Sequence, residues 1–264
     1  MTPIGIIFSL AALLVAMILD HENVMSLIKI SSLILVVGGS LGATLAGFDS
    51  KRIKTIPRAV MIAFKPKKGP QVKEVIEGIV SIAKQARTNP LILEEFETED
   101  MFLKKGIELI ISTSEPLRVE ELLNAEIEGL KERHAVGTKF FSDMAGFSPT
   151  FGILGTVVGL IGVLGQLSSP GKLGPAIASA FTATLWGVLL ANAVWLPISN
   201  RLKRISADEV TFRQMVIEGL LAMQLNTPTA ELKDLLYAYL SPSERRASSE
   251  KQEKDTGSST EDAA

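Results

Sequence analysis

The stretch FGILGTVVGLIGVLG, residues 151–165, contains no charged side chain and five glycines, Gly152, Gly155, Gly159, Gly162 and Gly165. Each glycine weakens a helix by about 1 kcal/mol relative to alanine, so a helix that accepts five must gain from the missing side chains. In lipid there is little hydrophobic drive between helices, and small residues mark the faces where backbones approach closely. Ser148, Gly152, Gly155, Gly159 and Gly162 alternate at spacings of four and three, which holds them on one stripe at ~3.6 residues per turn. The stretch predicts a membrane-spanning helix with a glycine packing seam.

The rest of the 264-residue chain agrees with a membrane setting. It is 47% hydrophobic but only 6% aromatic, with mean hydropathy +0.29, a balance that suits aliphatic membrane helices better than a large soluble core. It has no cysteine, which excludes disulfides, thiolate metal sites and a cysteine nucleophile. A net charge of -2 gives no overall basic footprint for nucleic acid.

Uncharged runs at 4–19, about 30–48, 147–169 and 173–200 each approach the ~20 residues needed to cross a hydrocarbon layer. Only DHENVMSLIK separates the first two and SSPGK the last two, so the runs form two hairpins. Lys51, Arg52, Lys54, Arg58, Lys65, Lys67 and Lys68 follow the second run, and Arg201, Lys203 and Arg204 follow the fourth. By the positive-inside rule these ends are cytoplasmic, as then are both termini. The expected fold is an all-α membrane protein with four transmembrane helices in two hairpins and a large helical cytoplasmic region between the second and third. The divisions are 1–48, a transmembrane hairpin; 49–146, a cytoplasmic helical domain; 147–200, a second hairpin; 201–241, cytoplasmic C-terminal helices; and 242–264, a disordered tail poor in apolar residues.

In the cytoplasmic part, Val72, Val75, Ile76, Ile79, Ile82 and Ala83 recur at helical spacing with charges between them. SEPLRVEELLNAEIEGLKERH opens with Ser114 as a cap and Pro116 in the first turn, then meets no breaker before the third span. Further helices are expected over about 201–225 and 229–240.

Ala180, Gly187 and Ala191 put a small face on the fourth span, and Thr184 shares it; Thr156 lies beside Gly152 and Gly159, while Thr182 is opposite Thr184. Both Thr156 and Thr184 therefore point into a close-packed interface, unless they only bond back to their own helices. No Asp, Glu, Arg or His occurs within the four spans, although ion relays normally use such groups. If the chain conducts ions, another chain supplies the carboxylate. Gly38-Gly39-Ser40-Leu41-Gly42 fits G-x-S-x-G, but it lies in an apolar helix rather than a strand-to-helix elbow, and His21 and His134 fall in an outer turn and a charged cytoplasmic helix. Asp20, His21 and Glu22 are too close together in a short turn to converge on one ion. KPKKGP lacks the spacing of a phosphate loop. No catalytic residue, metal site or cofactor is expected.

FSPTFGILGTVVGLIGVLGQL and GPAIASAFTATLWGVLLANAVWLPISNRL resemble the proton-channel family shared by the flagellar stator proteins MotA and PomA and by ExbB and TolQ. LILVVGGSLGATLAGF, ARTNPLILEE and LLYAYLSPSERR extend the resemblance to residue 246, and two N-terminal spans resemble the MotA and PomA branch.

The resemblance implies a flagellar stator subunit of the bacterial inner membrane that converts ion motive force into torque. Five copies would surround two copies of a single-span, peptidoglycan-anchored partner of the MotB type, and H+ or Na+ would pass to the partner's aspartate. Thr156 and Thr184 match positions lining the ion path, and Pro149 and Pro197 match prolines that couple ion passage to movement. From the residues alone, the prolines read as a helix start and a kink near an end. Arg87 and Glu95 match charges used against the rotor protein FliG, with Glu94 an equal claimant. The commoner ARREGLLALE pattern is altered here by Thr88, Asn89 and Pro90. An ExbB- or TolQ-like energiser of outer-membrane transport is the alternative.

Overall fold

The computed structural model describes residues 2–21, 24–27, 29–66, 72–113, 115–165 and 170–246. Ser114, the SSPGK turn up to residue 169, and the tail beyond 246 lie outside them. The described elements are helical. In chain order they are α1 (Thr2–Leu19), α2 (Ile30–Leu33), a π-helix (Ile34–Gly38), α3 (Gly39–Ala46), α4 (Ser50–Ile53), α5 (Ile56–Phe64), α6 (Val72–Ala86) and α7 (Met101–Ser112). There follow α8 (Pro116–Leu164), α9 (Pro170–Leu190), a second π-helix (Ala191–Trp195), α10 (Leu196–Gln224) and α11 (Thr229–Tyr237), with short 3-10 turns at Val24–Leu27 and Pro90–Leu93.

The chain divides into two compact units, one of Met1–Lys67 and Glu132–Ser206, the other of Lys68–Lys131 and Ala207–Ala264. Two helical stretches are long and apolar enough to cross a membrane, Pro116–Leu164 and Leu173–Gln224, each divided between the units, and Pro3–Leu19 and Ile30–Ala46, in the first unit, are shorter apolar helices. Large apolar side chains face outward along them, among them Phe8, Ile34, Ile153, Ile161 and Phe181. Such exposure would be costly in water at about 25 cal/mol per Å² and costs nothing in hydrocarbon.

The inner packing of the first unit gathers Ile56 and Ala63 of α5, Phe140, Phe141 and Met144 of α8, and Ile198 and Leu202 of α10. Phe48 meets Phe140 edge-on at 5.6 Å between ring centroids, and Phe140 meets Phe141 edge-on at 5.3 Å, the arrangement that ring quadrupoles favour.

The second unit has an ordinary soluble core. Ile76, Ile79, Ile82 and Ala83 of α6, the buried set that the spacing predicts, pack with Leu103 and Ile107 of α7, Leu123 of α8, Leu220 of α10 and Leu236 of α11. Asp100 starts α7 as an N-cap, accepting from the amides of Phe102 at 2.9 Å and Leu103 at 2.8 Å.

Helix α8 runs unbroken from Pro116 past the expected boundary at 146/147, with Pro149 inside it. Pro149 is therefore not a helix start. The close approach of α9 at Gly187, where an added Cβ would lie 3.2 Å from the Pro149 Cα, packs beside a residue that lacks the N–H for the carbonyl four positions back. Pro197 sits just after the second π-helix, in which the Leu196 amide reaches back to the Ala191 carbonyl. The widened turn makes room for a proline ring beside carbonyls that a regular α-helix would crowd.

Candidate functional site

The α8–α9 crossing is built by missing side chains. A Cβ added at Gly187 would lie 2.6 Å from the Ser148 carbonyl oxygen and 3.0 Å from the Gly152 Cα, and one at Gly152 would lie 2.9 Å from the Ala183 carbonyl oxygen. At Gly155 and Gly159 the added atom would lie 2.6 Å from the Cβ atoms of Ala183 and Ala180 respectively. Backbone meets backbone, and no side chain fits between. Gly162 stands apart from this seam: nothing lies within 4 Å of a Cβ there. Among the described residues, the close glycine contacts of this seam end at Gly159. Ala183, not singled out from the sequence, is a central partner; its three-residue step from Ala180 and four-residue step to Gly187 was the available signal.

Close approach brings two hydroxyls together. Thr156 Oγ1 hydrogen-bonds to Thr184 Oγ1, and it also lies 3.3 Å from the carbonyl oxygens of Gly152 and Ala180. Thr184 Oγ1 donates to the Gly152 carbonyl at 3.1 Å. The pair thus bonds across the crossing as well as back to its own helix, and it is only partly buried. Thr182 takes the local option, donating to Ala178 at 3.1 Å. Ser148, fully buried, does likewise with Met144 at 2.8 Å. Hydroxyls on a surface that one side of the crossing leaves partly open can exchange partners with a proton carrier or a partly dehydrated cation. Close to them, the Trp186 indole N–H donates to the Leu27 carbonyl at 2.7 Å, tying α9 to the turn after α1.

The serine of G-x-S-x-G is an internal helix residue. Ser40 is buried in α3 and donates to the Val36 carbonyl at 2.6 Å.

In the second unit, the charged residues separate into two environments. Arg87, just past the end of α6, donates from Nη2 to the carbonyls of Asn226, at 2.8 Å, and Thr227, and from Nη1 to Thr229 Oγ1 at 3.4 Å. It clasps the turn that joins α10 to α11, where Asn226 takes a left-handed φ of 55°. Both carbonyls lie in the turn beyond the end of α10 at Gln224, where the guanidinium satisfies backbone acceptors and opposes the negative end of the helix dipole. Glu94 and Glu95 are exposed on the segment after the Pro90–Leu93 turn, without an ion-pair partner among the described residues. Asn89 and Pro90 have a local role: the Asn89 side chain accepts from the Leu91 amide at 3.2 Å, capping the turn that Pro90 begins.

Residues 94–215 match the MotA/TolQ/ExbB proton channel family. Motility protein A of Bacillus subtilis is 31% identical over 99% of this chain and 98% of its own length. Chemotaxis protein PomA of Vibrio alginolyticus is 31% identical over 92% of this chain and 96% of its own. Among solved structures, the flagellar MotAB stator complex from Bacillus subtilis matches with a TM-score of 0.86 at 31% identity, covering 92% of this chain and 97% of the matched chain. A glycine-lined helix crossing with a partly buried threonine pair, and relatives alike over nearly their whole length, together establish that this chain belongs to the MotA/TolQ/ExbB proton channel family, on its flagellar motility branch.

Proposed function

We propose that the chain is a flagellar stator subunit which, with a single-span partner of the MotB type, forms a channel that turns ion motive force into torque on the rotor. The observation that carries this reading is the hydroxyl pair of Thr156 and Thr184 at the glycine-thinned α8–α9 crossing, in spans that carry no carboxylate of their own. Four spans, with both termini in the cytoplasm of an inner membrane, place the threonines in the bilayer and α6, α7 and α11 outside it. Five subunits surround two partner chains, and the partner's aspartate holds the travelling H+ or Na+.

Neutralising that aspartate removes its Coulombic pull on neighbouring dipoles and lowers the cost of burying it. Each charge that falls through ~100 mV releases ~2.3 kcal/mol, enough to move a ring between states of similar energy. With the partner fixed to the cell wall, the ring is the part that turns. Pro149 and Pro197 lie where α8 and α10 leave the membrane and pass that motion to the cytoplasmic helices. Glu95, or Glu94 beside it, meets FliG, while Arg87 sets the surface from which they project.

The test is swimming in the source organism deleted for this gene, with flagella counted by microscopy. Intact, paralysed flagella that wild type rescues and Glu95→Lys rescues poorly are the expected outcome. Normal swimming with no second stator present would refute the reading and favour an energiser of outer-membrane transport.

A further inference from the structure

The segment between α3 and α6 has a use that the channel does not explain. Helix α5 turns Ile56, Ala59, Val60 and Ala63 inward, into the cluster formed with Phe140, Ile198 and Leu202. Ile6 of α1 and Leu45 and Phe48 at the end of α3 pack against the same cluster. Helix α5 therefore lies at the level where the apolar helices end. Among the described residues its other face is uncovered: Met61 is 70% exposed and Phe64 40% exposed. Arg58 and Lys65 are exposed beside them, and Lys51 and Lys54 on the short approach through α4 are exposed too.

These cations have little to neutralise them. Asp49 is the only acidic residue from 47 to 66, and it pairs with Arg52 at 3.9 Å. Among the described residues, Lys51, Lys54, Arg58 and Lys65 have no ion-pair partner. On the helical wheel Phe64 and Met61 lie between the buried face and the cations Lys65 and Arg58. Apolar groups at the edge of hydrocarbon with cations just above them are how a helix lies in a membrane interface.

We propose that α5 and its flanking cations form a docking surface for anionic phospholipid, with Met61 and Phe64 against the upper acyl chains and Lys54, Arg58 and Lys65 on the headgroup phosphates. Charge complementarity selects this occupant, because segment 47–66 carries four cations without an ion-pair partner among the described residues, and its one carboxylate, Asp49, is paired with Arg52. Continuity selects it again, because the apolar side of the patch adjoins helices that already face lipid. An acidic protein surface would satisfy the cations and leave Met61 and Phe64 against polar groups. The inference rests on the membrane setting and not on torque, so it can hold or fail independently of the stator reading.

The chain has no native cysteine, so Met61→Cys gives a single fluorophore site in the full-length protein reconstituted into vesicles. Spin-labelled phosphatidylglycerol and spin-labelled phosphatidylcholine, at equal mole fraction, are compared as quenchers. Phosphatidylglycerol should quench more strongly, and the ratio of the two affinities should fall about fivefold for each of Arg58→Gln and Lys65→Gln. A label at the outward Val15 of α1 should be quenched equally by both lipids. Equal quenching at residue 61, or a ratio unmoved by the two substitutions, would overturn the proposal. So would quenching by neither lipid, which would mean that another protein surface, such as a second copy of this chain, covers α5.

Discussion

Thr184 donates its hydroxyl proton to the Gly152 carbonyl of the opposing helix at 3.1 Å, and the Thr156 hydroxyl oxygen lies 3.3 Å from that same carbonyl. The two threonines therefore share an acceptor as well as each other, and their contributions are coupled. Interhelical hydrogen bonds in membranes are worth about 0.6 kcal/mol on average and at most about 1.7. Thr184→Val should lower the stability of the purified protein by about that amount, and Thr184→Ser should restore most of it. In thermal unfolding, the Thr156→Val/Thr184→Val pair should lose less than the sum of the single losses. Strict additivity would show that the hydroxyls act separately.

Glycines of the two crossing helices, Gly187 of α9 and Gly162 of α8, should respond in opposite ways. Gly187→Ala puts a methyl 2.6 Å from the Ser148 carbonyl oxygen, a backbone atom that cannot swing away, and the helices must separate at a cost of about 1–3 kcal/mol. Gly162→Ala meets nothing within 4 Å and gains up to about 1 kcal/mol of helix propensity. Melting of the two variants should move in opposite directions, and loss of swimming should follow Gly187→Ala alone. A melting temperature unchanged by Gly187→Ala would mean that the crossing is looser than described.

Arg87 and Glu95 separate under the same assay, although both are exposed charges. Arg87→Ala removes the clasp on Asn226 and Thr227, hydrogen bonds to a charged donor worth about 1.5–3 kcal/mol, with solvent exposure favouring the lower end. It should lower the melting temperature and weaken swimming through the fold. Glu95→Lys should leave melting unchanged and still impair swimming. If Arg87→Ala melted like wild type, the turn would not depend on it and a direct rotor contact would be the better account.

Alkaline stability should report on Tyr239, whose hydroxyl donates to Glu218 at 2.7 Å. Burial first, then the hydrogen bond and the negative charge of Glu218, push its pKa up from 10.0 to about 12. The folded state thus holds this proton more tightly than the unfolded chain does. The resulting stability is fully present below about pH 10 and is lost as pH rises toward about 12. Between about pH 9 and about pH 11, wild type should lose more stability than Tyr239→Phe, which has no proton to lose. Parallel losses would place the alkaline sensitivity elsewhere.

How far the sequence could be read depended on the kind of interaction. Helix α6 and its buried Ile76, Ile79 and Ile82 follow from spacing alone, because amphipathic periodicity is the physical cause of that packing. The small face at Gly152, Gly155, Gly159 and Gly187 was equally legible, since a missing Cβ has the same meaning in any lipid-embedded helix. Gly162 shares that stripe without a close neighbour among the described residues, because spacing says which side a residue occupies and nothing about what packs against it. Arg87 was legible only as a charge; its carbonyl partners lie in a turn 139 and 140 residues away in sequence, a distance no local pattern spans. The wide turn before Pro197 was hidden for a related reason, since backbone hydrogen bonds to the fifth residue leave no composition of their own.

Those wide turns, Ile34–Gly38 and Ala191–Trp195, also act as phase shifters. An extra residue in one turn advances everything after it by roughly 100° around the axis. A single rod can then satisfy two neighbours whose contact stripes would otherwise fall out of step. Before the offset at Ala191, α9 sets Ala180, Ala183 and Gly187 against the glycines of α8; after it, α10 turns Ile198 and Leu202 onto Phe140 and α5. Removing one residue from the wide turn would leave a shorter, straighter rod with one of its two stripes facing the wrong way.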